Sequence, residues 1–163
     1  ILLSVYALDG IAFSSEILVG EAIGQKRLQS FKKIIRSSLK LGFIFSSVIG
    51  IFFYLLGFFI IDLMTSLKSV RLICYEYIVL ISIIPFISVS SYVYDGIFLG
   101  AARGKEIRVA MTQSFAIFFI CVISLVPLMG NIGLWTSIVV FNAVRALTLW
   151  AKVDRIEASF SSN

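Results

Sequence analysis

The 163-residue sequence has no histidine, two cysteines, two prolines and only 14% charged residues. Without histidine, neither a Ser/His/Asp catalytic set nor an HExxH metal motif can form, and the sequence contains no P-loop. Cys74 and Cys121 lie in apolar segments without metal-binding or redox spacing, which favours small buried side chains. The charged fraction is well below the roughly one quarter that is typical of soluble domains. The sequence therefore predicts neither an enzyme nor a soluble domain, and no motif in it indicates a metal or cofactor.

Hydrophobic residues, in contrast, make up 60% of the sequence, and the mean hydropathy is +1.03. The apolar runs predict an all-α integral membrane protein, a bundle of five transmembrane helices embedded in a lipid bilayer. Residues 156–163 are predicted to form a polar tail. Pro85 predicts a kink in the long third span, and the basic stretch before the second span predicts an amphipathic surface turn. The predicted spans are at about 1–24, 38–62, 71–102, 109–129 and 134–151.

Lysine and arginine alternate between the connections. The connections after the first and third spans and the tail hold 11 of them, the other two connections hold 2, and Arg145 lies inside the fifth span. The positive-inside rule then predicts a multi-pass protein of the inner (plasma) membrane with a cytoplasmic C-terminus. The net charge of +5 follows this topology and does not indicate a nucleic-acid partner. The chain starts without Met, inside apolar helix and without signal-peptide features, so we expect further spans upstream.

The first span carries Asp9 and Glu16. In a helix, Glu16 lies roughly 15 Å from the basic cluster that begins at Lys26, near the middle of a hydrocarbon core about 30 Å thick. Seven residues separate the two acids, so both share one face with Phe13 and Gly20. Carboxylates at this depth face a bundle interior or a wet cavity. They are either locked to polar neighbours or line a translocation cavity.

Two further charges lie at matching depths. Asp95 is about 12 Å, and Arg145 about 10 Å, inside the same membrane boundary. Pairing would offset most of the cost of burying each charge. The alternative is that Arg145 reaches the interface alone while Asp95 caps a neighbouring helix.

Glycines spaced four residues apart predict close helix contacts at the inner ends of two spans. They are Gly20 and Gly24 in the first span, and Gly96, Gly100 and Gly104 in and after the third.

Several stretches, in this order and spacing, resemble the multidrug and toxic compound extrusion (MATE) family, most closely its DinF-like branch. The resemblance covers essentially the whole chain. The stretches are LDGIA at 8–12 with Glu16 and GEAIG at 20–24, YDGIFLGAAR at 94–103, PLMGNIGLW at 127–135 and RALTL at 145–149.

The resemblance implies that residues 1–155 form a partial C-terminal lobe, like helices 8–12 of a two-lobed, twelve-helix antiporter. It implies efflux of small cationic or amphipathic compounds, driven by a proton or sodium gradient, together with an N-terminal lobe that this chain lacks. In another branch of the family a sodium-site acid aligns near Tyr92, so no sodium site is assigned to Asp95. The cavity or coupling candidates are Asp9, Glu16, Tyr92, Asp95 and Arg145. Alternatives are a lipid-linked precursor flippase of the same superfamily, and a non-transporting remnant or assembly partner.

Overall fold

A computed structural model describes residues 2–160, with side chains from Val5 onward. This part of the chain contains seven helices and no strand, which confirms the predicted all-α class. By length and composition, four helical stretches could cross a membrane: 28–64, 78–100, 104–129 and 131–158. The first helix has 23 residues, as many as the stretch 78–100, but it carries three carboxylates and is not among those four. The helices are α1 Leu2–Gly24, α2 Leu28–Met64, α3 Lys68–Glu76, α4 Ile78–Gly100, α5 Gly104–Met129, α6 Asn131–Trp150 and α7 Val153–Ala158.

The helix α2 begins ten residues before the predicted second span and continues unbroken for 37 residues. The predicted surface turn at the basic connection is therefore wrong. About half of that stretch is Leu, Lys, Arg and Gln, which favour helix, and it contains no Gly or Pro until Gly42. The chain instead turns just before α2, where Lys26 has a positive φ of 52°. The amides of Lys26 and Arg27 there bond back to the carbonyls of Ile23 and Ala22, both at 2.9 Å, which closes a Schellman cap on α1.

The predicted third span is two helices, α3 and α4, separated at Tyr77. The break does not lie at Pro85, through which α4 continues. Arg71 explains the separation, because it holds α3 against the end of α2. Its side chain donates hydrogen bonds to the carbonyls of Asp62 (2.8 Å) and Thr65 (2.6 Å) and pairs with the Asp62 carboxylate at 3.2 Å. These bonds satisfy carbonyls that the end of α2 would otherwise leave without a donor.

The helix α4 forms the centre of the bundle and packs against α1, α2 and α6, while α5 packs mainly on α6. Val89, Val93, Ile97 and Phe98 of α4 are fully buried. The opposite faces of α2 and α5 expose long apolar rows, as expected for helices in a lipid environment.

Two of the predicted packing glycines lie directly against a neighbouring backbone. A Cβ at Gly96 would overlap the carbonyl of Ala12, and one at Gly100 would overlap that of Glu16. Gly20 faces the Gly100 carbonyl from the other side, at 3.5 Å from its own would-be Cβ. At Gly24, the last residue of α1, and Gly104, the first residue of α5, the structure has nothing within 4 Å of such an atom, so the predicted close contacts do not form there.

One end of the bundle carries most of the lysines and arginines; we call it the basic end. Here α1 and α4 end and α2 and α5 begin. The predicted polar tail is partly structured here, because α7 packs on the start of α2. Ile156 is only 1% exposed, the rings of Phe31 and Phe160 are in tilted contact with centroids 5.4 Å apart, and Lys32 pairs with Glu157 at 2.8 Å. The pattern of Val153 and Ile156, three residues apart, gives this short helix its apolar face.

Candidate functional site

The helices α1, α4 and α6 enclose a cleft of about 170 Å³. Asp9, Phe13 and Glu16 reach it from α1 because their spacing of three to seven residues puts them on one stripe of the helix. One more residue of α1, four residues of α4 and one of α6 complete the lining. All five predicted cavity candidates therefore lie around one space. The remaining lining residues are Ala12, Tyr92, Asp95, Gly96, Leu99 and Arg145.

The glycines of α4 bring these side chains together. Because Gly96 lies against the Ala12 carbonyl, the axes of α1 and α4 approach closely at the depth of the cleft. Asp95, the residue before Gly96, is thereby placed beside the acidic stripe of α1. Phe13 remains 63% exposed, so the cleft opens along that side of α1.

Asp95 and Arg145 form a two-pronged ion pair that links α4 to α6. Nε of Arg145 donates to Oδ1 of Asp95 at 3.1 Å, and Nη2 of Arg145 donates to Oδ2. The side chains are 12% and 15% exposed, so the pair is largely shielded. The predicted pairing is confirmed, and the alternative of an isolated Arg145 is excluded.

The ion pair leaves the cleft with two more carboxylates than cations. Within the described residues, Asp9 and Glu16 form no ion pair and no side-chain hydrogen bond. The third acid of α1 is placed differently. Glu21 is exposed outside the cleft and accepts a hydrogen bond from the side chain of Gln25 at 2.9 Å. The cleft can therefore attract a cation or a proton at the two carboxylates of α1.

Sequence reasoning missed a polar contact next to this cleft. The buried Ser91 hydroxyl lies 2.7 Å from the Ser88 carbonyl and 3.0 Å from Oδ1 of Asn142, which joins α4 to α6 a second time. A neighbouring cavity of about 110 Å³ includes Ser88, Asn142 and Tyr92, so Tyr92 separates it from the acidic cleft. The signal was available, because Asn142 is an amide in an apolar span, and such side chains usually bond across helices.

The comparisons with known proteins identify the family of the chain. The family model described as MatE matches residues 1–129 of the chain. The chain belongs to the MatE family. It is also 34% identical, over 146 residues, to the DNA damage-inducible protein F of Escherichia coli (strain K12). This confirms the resemblance to the DinF-like branch.

The alignment with that relative covers 90% of this MatE-family chain but only 32% of the relative. The chain thus spans about a third of the length of the relative. No solved structure matches the chain. The family and the helices together establish a multi-pass, all-α membrane protein.

Proposed function

We propose that this chain forms part of a secondary transporter of the MATE superfamily, which exports small cationic or amphipathic compounds in exchange for protons or sodium ions. The observation that carries the proposal is the convergence of Asp9, Glu16, Asp95 and Arg145, from three helices, on one cleft. Charged side chains inside membrane helices are costly, and they are typical of ion and substrate pathways. The name of the relative states no substrate, so the cargo class rests on the charges of the cleft.

The charges also suggest how cargo and coupling ion compete. A cation entering on the Phe13 side meets Asp9 and Glu16 first, since these carboxylates lack a counter-ion among the described residues. A proton or cation that reaches Asp95 competes with Arg145 for the same carboxylate. Release of Arg145 would remove the ion pair between α4 and α6, so occupation of the cleft would be linked to the packing of these two helices.

Within the same superfamily, a flippase for lipid-linked precursors is the alternative. Its anionic cargo would favour lysine and arginine in the cavity, whereas three of the four charged side chains here are acidic. This supports cationic cargo. The distribution of 11 against 2 basic residues further supports an inner-membrane orientation with the basic end and the C-terminus in the cytoplasm.

The experiment compares two acids of the same helix in a full-length carrier that contains this sequence. Glu16→Gln removes a carboxylate from the cleft, while Glu21→Gln, the matched control, removes one outside it. A hydrogen bond between the cargo and the charged Glu16 carboxylate would contribute about 1.5–3 kcal/mol to binding. We therefore expect Glu16→Gln to lower efflux of a fluorescent cation about tenfold or more. Efflux is measured in everted vesicles under an imposed proton or sodium gradient.

Glu21→Gln should retain most of the activity. Equal loss in both variants would refute the role of the cleft. A wild-type carrier that moves no cation under either gradient would favour the non-transporting alternative, and movement of an anionic lipid-linked sugar would favour the flippase.

A further inference from the structure

A larger cavity lies on the side of α1 opposite the acidic cleft. It is a groove of about 680 Å³ between α1 and α2. On α1 its lining is turned roughly 100–200° away from Asp9, at 100° per residue, so the groove and the acidic cleft use different faces of the helix. Most of the lining is apolar or small. It consists of Ala7, Gly10, Ile11, Ser14 and Leu18 from α1, and Ser30, Lys33, Ile34, Ser37, Ser38, Leu41 and Phe45 from α2.

The groove extends inward from the basic end beyond the thickness of one leaflet of a membrane. Its lining runs over twelve residues of α1, from Leu18 to Ala7, and over sixteen of α2, from Ser30 to Phe45, which are eleven and fifteen helical steps. At 1.5 Å per residue these correspond to about 16 Å and about 22 Å. One half of a hydrocarbon core is about 15 Å thick. A single acyl chain can therefore lie along the groove from the basic end to the middle of the bundle.

The polar groups of the groove are concentrated at the basic end. Lys33 is exposed there, and the hydroxyl-bearing residues Ser30 and Ser37 lie three and four residues from it, on the same side of α2. Ser30 belongs to the first turn of α2, where the helix dipole favours an anion. Lys32, the residue before Lys33, is neutralised by Glu157, whereas Lys33 has no ion pair within the described residues. The groove thus has an apolar channel and a cationic mouth.

We propose that this groove binds one anionic phospholipid of the leaflet at the basic end. Its phosphate lies at Lys33 and Ser30, the rest of the head group lies near Ser37, and one acyl chain extends past Ile34 and Leu41 toward Phe45. Basic pockets between membrane helices on the cytoplasmic side are suited to anionic head groups. The site does not depend on the proposed transport activity, because it shares no residue with the acidic cleft.

Photo-crosslinking tests the proposal on the purified protein in lipid nanodiscs. The probes are phosphatidylglycerol and phosphatidylcholine, each with a diazirine at the end of one acyl chain, and labelled peptides are identified by mass spectrometry. We expect phosphatidylglycerol to label α1 and α2 along the groove, with phosphatidylcholine labelling it several-fold less. Lys33→Gln should reduce the phosphatidylglycerol labelling about fivefold, the contribution of roughly one basic residue near an anionic lipid. Lys105→Gln, which removes an exposed lysine outside the groove, is the matched control.

A second variant blocks the channel without touching the charge. The structure has nothing within 4 Å of a Cβ at Gly10, so Gly10→Phe places a ring in the groove without a backbone clash. It should abolish labelling along the groove, while Gly104→Phe, at a similarly open position outside it, should not.

Four results would overturn the proposal. They are equal labelling by both lipids, labelling that is insensitive to Lys33→Gln, competition by millimolar inorganic phosphate, and a groove that is unlabelled in the wild-type protein because another protein segment covers it.

Discussion

Removal of one partner of the Asp95–Arg145 pair gives the sharpest test of the bundle. The two side chains are 12% and 15% exposed, so Asp95→Asn leaves a shielded guanidinium without its counter-charge. Breaking a buried pair in this way typically costs about 3–5 kcal/mol. Arg145→Gln leaves the carboxylate unpaired and should cost a similar amount. The exchange Asp95→Arg with Arg145→Asp restores opposite charges and should recover part of the loss, limited by the longer side chain on the tightly packed α4.

The assay is the free energy of unfolding of the purified protein in detergent, supported by the yield of monodisperse protein. Glu157→Gln is the control, because it breaks the Lys32–Glu157 pair, whose side chains are 43% and 28% exposed. Exposed pairs contribute about 0–1 kcal/mol, so this variant should change stability little. If Asp95→Asn costs no more than Glu157→Gln, or if the exchange is as unstable as the sum of the two single variants, the ion pair does not stabilise the bundle.

Two further predictions concern the glycines and the topology. Gly100→Leu must displace the carbonyl of Glu16 and should cost about 1–3 kcal/mol or more, whereas Gly104→Leu, with open space around it, should cost far less in the same unfolding assay; the reverse order would contradict the close contact of α1 and α4. A reporter fused after Asn163 should behave as cytoplasmic, because the basic residues divide 11 against 2, and periplasmic activity of that fusion would invert the proposed orientation.

The composition of the acidic cleft could be predicted because helix geometry fixes two coordinates of every side chain. A spacing of seven residues placed Asp9 and Glu16 on one face of α1. The rise per residue placed Asp95 and Arg145 at matching depths, and the high cost of an isolated charge in a membrane favoured their contact. The structure pairs Asp95 with Arg145 as their depths predicted, whereas the convergence of this pair with Asp9 and Glu16 depends on which helices pack together, which those two coordinates do not give.

Features that depend on contacts between distant segments were not predictable in this way. The separation of α3 from α4 at Tyr77 accompanies the hydrogen bonds of the Arg71 side chain to the end of α2. No local sequence pattern in the span indicates these bonds. The position of α7 depends on contacts with Phe31, which lies more than 120 residues earlier in the chain and packs against Phe160, just after α7. Helix propensity in turn decided the start of α2, because its positive charges are exposed at the basic end and do not prevent helix formation.

The charge balance of the cleft constrains any mechanism built on it. The cleft holds three carboxylates and one guanidinium, so Asp9 and Glu16 are left uncompensated once Asp95 is paired with Arg145. Each uncompensated charge within a membrane costs a few kcal/mol or more. Protons, bound cations or a shift of Arg145 toward α1 are the available means of compensation. Each of them changes the partner of Asp95 or the charge of α1, and any that releases Arg145 removes the ion pair between α4 and α6. The Asp95–Arg145 pair joins α4 to α6 without the carboxylates of Asp9 and Glu16, which form no ion pair within the described residues.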